Sequence, residues 1–235
     1  MQNTIAKQGT ISELTKSARI IGVLMLIQVT LGILLNFFIL KPILNLDPQS
    51  VMSNIQYLVG FSTLLALLLS SFNISCGLFL PKDITQHPSR TFVFLIIFAS
   101  AGFVLCALEY IRMTEYVSYA SSLMQQSSTT LTTEQELIRQ TLATGRNEAH
   151  FLSIIVSSAS VLLFYVVTLR HKLIPKPLSI FAIFACTMQI IAVGHTLFAL
   201  AIPTIMQLPL LISQVVIPIF LITKGFNAKT IASNT

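Results

Sequence analysis

Six long apolar stretches are separated by polar segments along this chain. They cover residues 20–40, 57–80, 91–110, 150–169, 178–200 and 208–223. Each has, or nearly has, the ~17–25 mostly apolar residues that a helix needs to cross the hydrocarbon core of a bilayer. A lipid-exposed span must also satisfy its own backbone polar groups, which a helix does. The pattern therefore predicts an all-α fold: a polytopic transmembrane helical bundle of six spans.

The third connection, about residues 111–149, is the only long one. A Ser-, Thr- and Gln-rich stretch at 119–130 predicts irregular structure. The segment from Thr133 to Glu136 then matches a capping box, and Gly145 offers a helix stop. Between them lies one narrow apolar stripe, formed by Leu137, Ile138 and Leu142. We predict a short amphipathic helix in this outer loop, either lying on the membrane or packed as a solvated surface helix.

The basic residues alternate between the two sides of the predicted spans. Ten of the 14 Lys and Arg residues lie on the side of the two termini: Lys7, Lys16, Arg19, Lys82, Arg90, Arg170, Lys172, Lys176, Lys224 and Lys229. Such a bias in short loops places the basic side in the cytoplasm. We therefore expect residues 1–19 and 224–235 to be cytoplasmic tails flanking a membrane domain at 20–223.

The net charge of +6 is explained by this asymmetry. It indicates orientation first and contact with anionic lipids at the cytoplasmic face second. The expected partner is the lipid bilayer, nucleic acid is not expected, and assembly into a homo-oligomer stays open. Only 9% of residues are charged, against about a quarter in soluble domains, which excludes a water-soluble enzyme.

Three glutamines lie deep inside predicted spans. Gln28, Gln189 and Gln214 are each about 12 to 17 Å from the basic end of their helix, near the bilayer midplane. Pro218 cannot donate to the carbonyl of Gln214, so a free carbonyl and an amide side chain coincide there. One interpretation is a polar ligand pocket. The alternative is hydrogen bonding between helices that only fixes their packing.

A second polar group is predicted near the outer boundary. Glu109 ends the third span, His150 opens the fourth, and His195 lies just inside the fifth. Two histidines and a carboxylate can bind a ligand or relay protons. The alternative is that these side chains face lipid headgroups. The histidines lack a metal-binding spacing, so we expect no metal, and the sequence predicts no cofactor and no catalytic residue.

The serines and cysteines within the predicted spans are interpreted as packing residues. Ser153, Ser157 and Ser160 share one face of the fourth span, which favours close helix packing. A serine-hydrolase elbow would need Gly-x-Ser-x-Gly, which this stretch lacks. The three cysteines, which are Cys76, Cys106 and Cys186, lie within spans and are interpreted as small buried residues.

Several strings resemble a bacterial six-span family catalogued as domain of unknown function 4386. They are Ser-Ala-Arg-Ile-Ile-Gly-Val-Leu from Ser17, Thr-Thr-Glu-Gln from Thr132, Ala149-His150, Leu-Arg-His-Lys-Leu-Ile-Pro-Lys-Pro-Leu from Leu169 and Phe-Leu-Ile-Thr-Lys-Gly-Phe from Phe220. The resemblance implies a multi-pass protein of the bacterial cytoplasmic membrane with no established activity. It also implies ionisable residues at Leu58, Thr63 and Gln214, where this chain has none.

These observations leave three functional hypotheses. The first is a membrane protein that binds or moves a small or lipid-like molecule through an intramembrane polar pocket. Its ligand-binding residues would be Gln28, Gln189, Gln214, His195, His150 and Glu109. The second is a non-catalytic scaffold or assembly subunit, in which the polar residues serve packing. The third is a membrane enzyme that uses a histidine–carboxylate outer site, although the sequence favours a protein that is not an enzyme.

Overall fold

The structure, a computed structural model, describes residues 2–44, 55–125 and 131–227. Its regular structure is helical. The six long helices are α1 (Gln2–Leu34), α2 (Ile55–Leu78), α3 (Arg90–Gln125), α4 (Thr133–Arg170), α5 (Lys176–Gly194) and α6 (Leu208–Lys224). Each includes or forms most of a segment that is long and apolar enough to cross a membrane. The prediction of an all-α bundle with six spans is confirmed.

Shorter elements connect the long helices. A π-helical segment, Leu35–Leu40, and a final turn, Lys41–Leu44, continue α1. The short helix Lys82–Gln86 joins α2 to α3. Two 3₁₀ turns, His195–Phe198 and Thr204–Gln207, lie between α5 and α6.

The six helices form a closed ring. Each long helix packs on the next one along the chain, and α6 returns to pack on α1. We call the end of the ring where α1 begins and α6 ends the terminal end, and the end where α3 meets α4 the hairpin end. At the terminal end Lys82 pairs with Glu13 at 3.2 Å, and the Asn227 amide donates to the Leu173 carbonyl at 2.9 Å.

Two glycines allow helices to approach closely within this ring. A Cβ on Gly22 of α1 would lie 2.8 Å from the Pro218 carbonyl oxygen of α6. A Cβ on Gly102 of α3 would lie 2.6 Å from Ser157 Oγ of α4. At Gly22 the obstacle is a backbone atom, so a larger residue would push α1 and α6 apart. At Gly102 the obstacle is a hydroxyl, so a larger residue would require Ser157 to rotate away. We call these two contacts the glycine seams, and the first one closes the ring.

A buried apolar cluster fills the terminal end of the ring. All six long helices contribute to it, and its largest fully buried members include Tyr165, Ile21, Leu95, Ile217 and Leu221. A second cluster at the hairpin end is formed mainly by α1, its continuation, α2 and α3. Between the two clusters the interior is not filled, and the polar residues described below surround that space.

The predicted outer loop at 111–149 is wrong in extent. With 36 and 38 residues, α3 and α4 are about 54 and 57 Å long, against about 30 Å for the hydrocarbon core. The predicted amphipathic segment is helical, but it is the first part of α4 and not a separate short helix. Its apolar residues Leu142 and Ala143 pack on the cluster at the hairpin end, which holds the segment against α3.

The helix start and the expected stop also differ from the prediction. The N-cap is Thr132, whose Oγ1 accepts from the Gln135 amide at 3.2 Å, while Gln135 Oε1 accepts from the Thr132 amide at 2.9 Å. This capping box begins one residue earlier than predicted. Gly145 does not end the helix, because the residues on both sides of it continue to pack on α3. Of the stretch predicted to be irregular, 119–125 is helical and 126–130 lies outside the described residues.

Candidate functional site

A cavity of about 400 Å³, open along part of its boundary, lies in the middle of the ring. All six long helices contribute to its wall. Apolar side chains such as Met25, Leu95 and Phe164 form its floor, where it borders the cluster at the terminal end. The rest of the wall carries the polar groups, with Glu109, Tyr110 and His150 toward the hairpin end. The polar residues are Gln28, Asn36, Ser70, Asn73, Glu109, Tyr110, His150, Ser153, Ser157, Ser158, Ser160, Gln189 and Gln214.

The three glutamines singled out in the sequence all line this cavity. Gln28 is held in place, because its Nε2 donates to Asn73 Oδ1 at 3.1 Å and to the Leu69 carbonyl at 3.3 Å. Gln189 and Gln214 make no side-chain hydrogen bond within the described residues. Gln189 is buried and Gln214 is half-buried. Buried amides normally have partners, so the amide of Gln189 in particular is left for a molecule in the cavity. That they bind a ligand stays a prediction.

A charged cluster stands at the hairpin side of the cavity, centred on Glu109. Arg146 Nη2 donates to Glu109 Oε1 at 3.2 Å, and His150 Nδ1 donates to the same oxygen at 2.8 Å. Ser153 Oγ donates to Oε2 at 3.4 Å. The side chains of Glu109 and Arg146 are only 5% and 6% exposed, whereas that of His150 is 25% exposed. The acid and the arginine are therefore a buried ion pair, with the histidine at its cavity side.

Helical spacing explains how α4 builds this cluster. Arg146, His150 and Ser153 are four and three residues apart, so they project from one face of α4. That face meets Glu109 of α3. Of the polar group predicted near the outer boundary, His150 and Glu109 are thus in contact. Arg146, which also belongs to the cluster, is not among the residues that the sequence pattern indicated. Its position four residues before His150 would place it on the same helix face. The helix end predicted at Gly145 separates the two residues, but Gly145 does not end the helix.

The hydrogen bond from His150 to Glu109 determines which ring nitrogen of the histidine carries the hydrogen. A carboxylate can only accept, so Nδ1 carries the hydrogen and Nε2 is the second ring nitrogen. No described residue hydrogen-bonds to Nε2. His150 lines the cavity and is more exposed than Glu109 or Arg146, so its Nε2 is the group of the cluster most open to a bound molecule. The arrangement can hold a polar group or exchange a proton with it.

His195 does not join the site. Its Nδ1 donates to the carbonyl of Ile191 at 2.8 Å, so the side chain caps its own helix. It is not part of the cavity wall, and the expected pairing of two histidines is therefore not formed. Within the described residues no group of three or more His, Cys, Asp or Glu side chains is arranged to hold a metal ion.

The cavity wall also includes the three cysteines, Ser160 and Asn73. All three cysteines, which were interpreted as packing residues, line the cavity. Ser160 lines it as well, and its buried Oγ has no hydrogen-bond partner in the described part of the chain. Asn73, which orients Gln28, was overlooked in the sequence although a lone asparagine inside an apolar run is itself a signal.

Comparison with known proteins supports the family resemblance. A family model described as "Domain of unknown function (DUF4386)" matches residues 20–225, which include all six spans and every residue of the charged cluster. Neither a curated protein nor a solved structure matches the chain. This multi-pass membrane protein belongs to the DUF4386 family.

Proposed function

We propose that this protein binds a small or lipid-like molecule in the cavity at the centre of its helix ring. The observation that carries the proposal is the wall of the cavity, where Gln189, Gln214 and Ser160 leave polar atoms without partners among the described residues. A volume of about 400 Å³ falls within the range of ~300–1,000 Å³ that is typical of ligand sites. The buried charged cluster gives one side of the wall a distinct chemistry.

The cavity weighs against a role that rests on packing alone. A protein that used these polar residues only to hold helices together would be expected to fill its core, since unfilled space costs stability. It would also be expected to pair the amides that line its interior with one another. Gln28 and Asn73 do pair, but Gln189 and Gln214 do not. Binding of a molecule that supplies the missing contacts accounts for both features.

We further propose that the terminal end faces the cytoplasm of a bacterial cell, because the basic residues are concentrated there. A chain with Thr141→Cys in the exposed part of α4 should then be labelled by a membrane-impermeant maleimide added to intact cells. A chain with Lys172→Cys, exposed between α4 and α5, should be labelled only after the membrane is opened. The unsubstituted chain gives the background from its own cysteines. The reverse pattern of labelling would overturn the orientation.

Filling the cavity should abolish ligand binding without unfolding the protein. Gly32 of α1 lines the cavity, and a Cβ placed on it would have no heavy atom within 4 Å. In Gly32→Leu the added side chain has room to enter the cavity. We expect native mass spectrometry of the purified protein to show a retained small molecule in the wild type and its loss in this variant.

The matched control is Gly60→Leu. A Cβ placed on Gly60 would also have no heavy atom within 4 Å, but this glycine lies on the outer face of α2 and not on the cavity wall. The variant should keep the bound molecule. If both variants retain it, or if both lose it, the cavity is not the binding site.

A further inference from the structure

The cavity wall has no excess charge with which to hold an ion. Among the described residues Glu109 is the only carboxylate on it, and the neighbouring Arg146 neutralises that charge at 3.2 Å. The helix α3 contributes two further titratable side chains to the wall, Tyr110 and Cys106. The helices α1, α2, α5 and α6 contribute only amides, hydroxyls, thiols and apolar groups. Taking a charged molecule out of water costs several kcal/mol unless a counter-ion meets it, and the wall offers none.

The second ring nitrogen of His150, Nε2, can accept a hydrogen bond from a molecule in the cavity. Because Nδ1 donates to Glu109 at 2.8 Å, a neutral imidazole presents the lone pair of Nε2 to the cavity. A lone pair accepts a hydrogen bond, and an uncharged hydroxyl is the simplest group that supplies one. The apolar floor at Met25, Leu95 and Phe164 lies at the other side of the same cavity and suits a hydrocarbon body.

We infer that the ligand is an uncharged amphipathic molecule with a hydroxyl group, which donates to His150 Nε2 while its apolar body lies on the floor of the cavity. This inference rests on the proposed function and narrows it to a ligand class. The amides of Gln189 and Gln214 hydrogen-bond to further oxygen atoms of such a molecule. A phenol, a hydroquinone or a long-chain alcohol has this chemistry.

Three probes with one shared ring system test the inference. They are 2-naphthol, which has a neutral hydroxyl, naphthalene, which has no polar group, and 2-naphthoate, which is an anion. Binding of each radiolabelled probe to the purified protein is measured in detergent, and the part that Gly32→Leu removes is taken as binding in the cavity. We expect 2-naphthol to bind about tenfold more tightly than either of the others, the effect of one buried hydrogen bond.

A second measurement identifies the acceptor. In His150→Phe the tenfold preference for 2-naphthol over naphthalene should disappear, while naphthalene binding, which reports an intact cavity, stays the same. 2-Methoxynaphthalene keeps the oxygen but has no hydrogen to donate, so it should bind the wild type no more tightly than naphthalene. This probe provides the test even if the variant does not fold.

The outcomes separate this inference from the proposed function. If all three probes bind in the cavity with equal affinity, or if 2-naphthoate binds best, the cavity is a binding site but the ligand class is wrong. If none of them binds, the ligand class is also wrong, and the proposed function is judged by the co-purified molecule in the Gly32→Leu experiment.

Discussion

Replacing Glu109 with alanine should lower the free energy of unfolding by about 3–5 kcal/mol, the usual cost of leaving one partner of a buried ion pair alone. Arg146 would remain almost fully buried without its carboxylate, and its Nε already has no partner among the described residues. Ser153 and His150 would lose their acceptor as well. The change is measured as the shift in the unfolding transition of the purified protein in mixed micelles.

A matched surface variant and a double variant make this result specific. Glu115 also pairs with an arginine, Arg112 at 2.9 Å, but both side chains are more than 40% exposed, so Glu115→Ala should cost about 0–1 kcal/mol. Combining Glu109→Ala with Arg146→Met removes the stranded charge and should recover part of the loss. If Glu109→Ala is no worse than Glu115→Ala, the cluster does not exist as described.

Replacing Gly22 with leucine should cost at least as much as overpacking a core usually does, about 1–3 kcal/mol. The nearest obstacle to a Cβ is the backbone oxygen of Pro218 at 2.8 Å, and Ile222 Cγ1 and Leu221 Cβ follow at 2.9 and 3.1 Å. A backbone atom cannot rotate away, so α1 and α6 must separate. Because this seam closes the ring, we expect a lower unfolding midpoint together with faster proteolysis of the purified protein.

Gly60→Leu serves again as the control, because the same substitution on the outer face of α2 meets no atom within 4 Å. It should leave the free energy of unfolding within about 0.5 kcal/mol of the wild type, as surface substitutions usually do. Equal destabilisation by both variants would show that leucine is poorly tolerated anywhere in these helices, and the close approach at Gly22 would then not be the cause.

The membrane spans could be predicted from the sequence because each depends on its own residues. An apolar stretch of sufficient length must form a helix in lipid, whichever helices surround it. The extent of α3 and α4 could not be predicted in this way. Their ends toward the connection are polar enough to resemble a loop. They are held as helices because Tyr116, Val117 and Leu142 pack in the cluster at the hairpin end, which the local pattern does not reveal.

The candidate site could likewise be predicted only in part from the sequence. The depth of Gln28, Gln189 and Gln214 follows from the fixed rise of a helix, so their common level could be predicted from the sequence. Which faces meet inside the ring depends on how the helices pack. His195 lies at a depth similar to that of His150, but its ring hydrogen-bonds to its own helix. Arg146, which the sequence pattern assigns to a loop, lies on a buried face of α4.

The glycine seams have an evolutionary consequence. The residues that hold α1 to α6 and α3 to α4 are separate from most side chains that surround the cavity, and several of the latter hydrogen-bond to no other described side chain. Under the proposed function, exchanges at Gln189, Gln214 or Ser160 would alter what the cavity accepts without changing the contacts at the seams. A lineage that keeps the seams could then vary its ligand on one scaffold.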